Sequence, residues 1–133
     1  MDARTTAVLH GCSRASAEER ISFPEVVAAL AAVGVERYHT DLVRAESTYY
    51  FPDGATERVE IHPAALPPAM GFSAEGVESA VRAIQAGTIG YRGFCERVLR
   101  AGCVGWTVNI TGRRVVYAGR TGDSHTEWFP GAR

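Results

Sequence analysis

The sequence predicts an α+β fold: two helix–helix–strand–strand units, a tandem pseudo-repeat, forming an antiparallel sheet with helices packed on one face. Three features predict it. Ser22 and Ser73 stand as helix caps ahead of apolar positions of helical period. Each helical pair is followed by short runs rich in aromatic and β-branched residues. Landmarks also recur at a spacing of 68 residues, Gly34 with Gly102 and Gly54 with Gly122.

In chain order, Thr5 to about Ser16 reads as a polar helix. Ser22 caps the next, with Pro24 in its first turn, Glu25 completing a capping box, and Val26, Val27, Leu30 and Val33 on one stripe. Gly34 stops it in a left-handed conformation. Val35–Val43 and Ser47–Phe51 read as strands, Pro52-Asp53-Gly54 as a turn, and Glu57–His62 as a candidate third strand. Residues 63–70, rich in Pro and Ala, form a connector. The second half repeats the plan. Ser73 caps a helix to about Ala86, a second helix runs from Tyr91 to Ala101, and Gly102 ends it. Strands Cys103–Ile110 and Arg114–Gly119 follow across the turn Thr111-Gly112-Arg113, with Asp123–Phe129 as a candidate last strand. One domain over residues 1–133 results, with unit one about 5–62 and unit two about 73–129.

Without a gap, the same offset pairs Tyr91 with Phe23, Phe94 with Val26, Val98 with Leu30, Trp106 with Tyr38 and Tyr117 with Tyr49. Matched caps, stops and large aromatics favour a duplicated unit over chance likeness of two helix–hairpin modules. Alternation then assigns faces. Glu36, Tyr38, Thr40 and Leu42, aligned with Val104, Trp106, Val108 and Ile110, should pack on the helices. Arg37, His39 and Asp41, aligned with Gly105, Thr107 and Asn109, should form the opposite, polar face.

Composition removes several functional classes. The 133-residue chain is 46% hydrophobic and 22% charged, a globular rather than disordered balance. A net charge of −1 and a pI near 6.4 argue against nucleic acid as partner. Every basic residue is Arg; with no Lys there is no Schiff base, P-loop lysine or Ser–Lys dyad. Cys12, Cys95 and Cys103 make an odd set without a CxxC pair, so neither a disulfide framework nor a zinc knuckle is expected. No stretch is apolar enough for a signal or a membrane span, which points to a cytoplasmic protein with no membrane partner.

Catalytic constellations are sparse. Cys95 and Cys103 align with Val27 and Val35, which reads as buried packing rather than nucleophile. His10, His39, His62 and His125 show no HxH, HExxH or comparable spacing, so no metal and no cofactor is expected. GxSxG and GxGxxG are both missing from the chain. What remains is the polar sheet face: Arg37, His39, Asp41, Thr107 and Asn109, with Tyr49, Tyr117 and His125 expected nearby, as a ligand-binding surface. The first reading is a non-enzymatic binding or interaction domain, whose partner is a small molecule, a protein or a second copy in a homodimer. The alternative is a small enzyme using His39 and Asp41 as a base pair.

The segments Phe23–Leu42, Ile84–Val108 and Arg113–Pro130, in that order, resemble the YbcV-like family, a bacterial and prophage-associated family of unknown function. Some of its members are labelled phage envelope protein. The resemblance covers nearly the whole chain and implies a small α+β domain without an established activity. It supplies no catalytic residues.

Overall fold

The computed structural model describes residues 1–132. Unit one runs α1 (Ala3–Ala17), α2 (Phe23–Ala32), β1 (Arg37–Asp41), β2 (Glu46–Tyr50) and β3 (Thr56–Glu60). Unit two runs α3 (Ala74–Gln85), α4 (Tyr91–Arg100), β4 (Cys103–Asn109), β5 (Arg114–Gly119) and β6 (Ser124–Trp128). Both candidate third strands form, so each unit is two helices followed by a three-stranded meander. The six strands make one antiparallel sheet in the order β3-β2-β1-β4-β5-β6.

Local chemistry sets the element ends. Ser22 Oγ accepts from the Glu25 N–H at 3.4 Å while Glu25 Oε1 accepts from the Ser22 N–H at 3.0 Å, closing the capping box. Ser73 Oγ accepts from the Gly76 N–H at 3.0 Å. Gly34 and Gly102 end α2 and α4 at φ 90° and 87°, where an L side chain would be strained. At Gly102 a Cβ would also strike the Gly71 backbone.

The 68-residue offset holds in the backbone. Adding it to the β1–β2 pair Tyr38↔Tyr49 gives the β4–β5 pair Trp106↔Tyr117. Adding it to the β2–β3 pair Ser47↔Val59 gives the β5–β6 pair Val115↔Glu127. Left-handed residues coincide as well: Glu19 with Gly87, Ala45 with Arg113, and Gly54 with Gly122. Between the units β1 meets β4 so that His39 lies opposite Thr107, its own equivalent. An approximate two-fold axis therefore passes through that pair.

All four helices bury their apolar stripes against one face of the sheet. Leu9, Leu30, Val77, Val98 and Leu99 from the helices meet Tyr38, Trp106 and Val108 from the strands in one core. Each large aliphatic buried this way contributes about 1.5–3 kcal/mol. Tyr38, Thr40, Leu42, Trp106 and Val108 are buried as the alternation requires. Glu36, at the edge of this set, is half-buried and ion-paired with Arg37 at 3.3 Å. No helix among the described residues is long and apolar enough to cross a membrane.

Candidate functional site

Five of the expected site residues share the uncovered sheet face, and each is engaged locally. His39 Nδ1 lies 2.9 Å from Thr107 Oγ1 across the central strand pair. Asp41 Oδ1 accepts from the backbone N–H groups of Val43 and Arg44, both at 2.9 Å, so this carboxylate shapes the β1–β2 turn. Among the described residues no hydrogen bond joins it to His39. Arg37 stacks its guanidinium on the Tyr50 ring, 3.9 Å from the centroid. Asn109 Nδ2 donates to the Arg114 carbonyl.

Tyr49, Tyr117 and His125 are not on that face. Tyr49 pairs directly with buried Tyr38, and Tyr117 pairs with both Trp106 and His125, so all three point to the helices. The reason lies in β2. Its sequence Glu-Ser-Thr-Tyr-Tyr puts hydroxyl-bearing residues on both faces, so alternation carries no sign there, and turn length alone decides the register.

On the helix side the sheet and helices enclose a chamber of about 340 Å³. That is at the lower end of the range of small-molecule pockets, about 300–1,000 Å³. It straddles the approximate two-fold axis. Tyr38 and Trp106 line it at equivalent positions, as do Tyr49 and Tyr117, Ile21 and Ile89, and Phe23 and Tyr91. Phe23 is 40% exposed, so the chamber reaches the surface beside its ring, which packs edge-on to Phe129 at 5.5 Å.

Three phenol groups dominate its interior. Tyr38, Tyr49 and Tyr117 are 8%, 3% and 7% exposed, and none of their hydroxyls has a hydrogen-bond partner among the described residues. None is a sealed orphan either, because among the described residues no enclosed side-chain N or O lacks a partner. The surface left to these hydroxyls is chamber wall. Burial pushes all three phenols well above their ordinary range, so they remain neutral donors and acceptors. Burial likewise pushes the Tyr91 phenol well above its ordinary range.

The three cysteines are free and buried. Cys95 and Cys103 are fully buried, and desolvation pushes them up to about 12 and about 11. At neutral pH neither offers the thiolate that nucleophilic chemistry needs. Cys12 lines the chamber and is likewise raised by burial.

At the β6 end, Glu127 is held by Arg82 at 3.0 Å and by His125 at 2.6 Å. Glu78, His125 and Glu127 bring three potential ligand atoms within 4.8 Å of one another. Arg82 already answers the Glu127 charge, and unit one explains the cluster differently. There His10 of α1 meets Glu57 of β3 at 3.2 Å, at the positions of Glu78 and His125 with the residue types exchanged. Each unit thus ties its first helix to its outer strand with an ion pair, His10–Glu57 in unit one and Arg82–Glu127 in unit two.

Four helices and a six-stranded antiparallel sheet thus define an α+β fold with a cavity on the helix side of the sheet. A family model described as "Protein of unknown function (DUF1398)" matches residues 19–125, and the chain belongs to that family. No curated protein matches it. The matched span leaves out α1, which supplies Cys12, Ser13 and Ser16 to the chamber wall. Of the chamber residues, Tyr49 and Tyr117 are among the site residues that the sequence suggests, whereas alternation places Tyr38 and Thr40 in the packing and says nothing of Ser47. A threonine and a serine in register on an apolar sheet face are the signal that points to them.

Proposed function

We propose that this chain is a non-enzymatic binding domain that holds a small molecule in the chamber between sheet and helices. The observation that carries this reading is the set of three buried tyrosines, Tyr38, Tyr49 and Tyr117, whose hydroxyls have no hydrogen-bond partner among the described residues and open instead on the wall of a 340 Å³ cavity. Polar groups that face an otherwise apolar cavity are satisfied by water or by a bound molecule, and a ligand would find these three ready to bond. The alternative of catalysis by His39 and Asp41 has less support, because Asp41 Oδ1 is committed to two turn N–H groups. The matched backbones support descent from a duplicated unit. The uncovered face around His39 remains the natural surface for a homodimer or a protein partner. The YbcV-like resemblance fits this reading and adds no activity to it, and the three free cysteines support a cytoplasmic placement as part of the same proposal.

The test is a thermal-shift screen of small neutral fragments, with hits mapped by backbone amide shifts. Hits should move the amides of Tyr38, Thr40, Tyr49 and Tyr117. Hits that instead cluster on Arg37, His39 and Thr107 would return the site to the open face.

A further inference from the structure

The chamber has two walls of matching backbone and unlike chemistry. From unit one, Ser13, Ser16, Thr40 and Ser47 line it; the equivalent positions of unit two hold Val81, Ile84, Val108 and Val115. Thr40 Oγ1 and Ser47 Oγ lie 2.8 Å apart and are buried. Two hydroxyls sharing one hydrogen bond still hold one free O–H and spare lone pairs. The Tyr38 and Tyr49 hydroxyls belong to the same wall. Opposite them stands a ring cluster, with Phe94 and Trp106 at 5.6 Å and Trp106 and Tyr117 at 5.9 Å.

Charge is excluded from the interior. Among the described residues no arginine lines the chamber, the one lining imidazole, His62, is exposed at the rim, and the sequence has no lysine, so an anion buried in the interior would find no counter-charge. The lining carboxylates sit at the periphery: Glu127 is paired with Arg82, and Glu19 packs over Gly90.

Resting on the reading of the chamber as a binding site, we infer that its ligand is a neutral, ring-bearing molecule with a hydroxyl or carbonyl edge. That edge lies against Thr40, Ser47, Tyr38 and Tyr49, and its apolar body lies against Phe94, Trp106, Val108 and Val115. The symmetry of the backbone would allow two orientations; the side chains select one.

Three probes of nearly equal size separate the possibilities: 4-ethylphenol, 4-ethyltoluene and 4-ethylbenzoate, each titrated into the intact protein and followed by backbone amide shifts. Wild type should bind 4-ethylphenol about tenfold more tightly than 4-ethyltoluene, the worth of one well-placed hydrogen bond, and should not bind 4-ethylbenzoate. The double variant Thr40→Val/Ser47→Val gives unit one the residues of unit two and leaves no unpaired hydroxyl of that pair. It should lose the preference for the phenol while keeping its affinity for 4-ethyltoluene. Equal binding of phenol and hydrocarbon by wild type, or a preference unchanged in the double variant, overturns the polar wall and leaves the chamber as a binding site. Binding of the benzoate inside the chamber overturns the neutrality of the ligand. If none of the three moves an amide lining the chamber, the binding reading itself falls, and this inference with it.

Discussion

Thr40 and Ser47 meet across β1 and β2 at the same register at which Val108 and Val115 meet across β4 and β5. The strands, helix ends and left-handed turn residues around them coincide between the units, yet one pair is joined by a hydroxyl–hydroxyl bond and the other by aliphatic contact. The difference separates two kinds of constraint. Backbone handedness and strand register are set by turns, caps and the period of burial, which tolerate many side chains. Chamber chemistry depends on a handful of atoms and is free to diverge on an unchanged frame.

The strongest challenge to this equivalence is in the packed core. Leu30→Ala should cost about 2–5 kcal/mol, and Val98→Ala somewhat less because it deletes one carbon fewer. Chemical denaturation followed by the signals of both units should give a single transition for each variant. Independent melting of the units would mean they are neighbours rather than one cooperative fold.

Exchanging the chamber chemistry sharpens the comparison. Val108→Thr or Val115→Ser alone should cost about 1–3 kcal/mol, since each buries a hydroxyl without its mate. The double substitution should cost less than the two together, because the new hydroxyls stand at the register where Thr40 and Ser47 bond. Strict additivity in a double-mutant cycle would show that equal register does not give equal geometry.

Unit two alone carries two deeply buried thiols, and alkaline pH reads them. Both bind their protons more tightly when folded than at their ordinary value of 9.0. They therefore favour the folded state below that pH, and the contribution is lost as pH rises through about 11 and about 12. Cys95→Val/Cys103→Val should cost under about 1.5 kcal/mol at neutral pH and flatten the fall in stability above pH 9.0. An unchanged alkaline slope, or fast maleimide labelling of the native protein, would count against burial as the cause.

The smallest effect comes from the left-handed residue after the first helix of each unit. Glu19 holds φ 58° where Gly87 holds φ 76°. Gly87→Ala meets nothing within 4 Å, so its cost of about 1 kcal/mol should be purely conformational. Glu19→Gly should change thermal stability by less than that, because relief of the backbone is offset by a freer unfolded chain.

Ten elements were legible in the sequence, most to within a residue or two, because caps such as Ser22 and Ser73 and stops such as Gly34 and Gly102 are local chemistry. Which side of the sheet most β1 and β4 residues face was legible too, because Trp106 and Val108 fix the polarity; alternation fails only at the start of β4, where the register shifts between Cys103 and Gly105. The chamber was not. A cavity is a shortfall of volume between packed elements, and no run of residues encodes it. Its polar wall was hidden for a second reason: the Glu46–Tyr50 strand is hydroxyl-rich on both faces, which made Tyr49 look like a surface residue.

The segment between Ile61 and Ser73 is the covalent bridge between the units, and the Ala69 and Ser73 N–H groups pin it by donating to the carbonyls of Leu99 and Ala101. Without that bridge, pairing of β1 with β4 would be a bimolecular event governed by concentration. With it, the two halves meet at an effective concentration fixed by a short tether, in the millimolar range typical of such linkers. The same tether ends any need for the halves to be identical. A self-assembling pair must place one residue opposite its own copy at the axis and line any cavity there with two equal walls. A covalent pair can set His39 against Thr107, and a polar wall against an apolar one, within a single gene product.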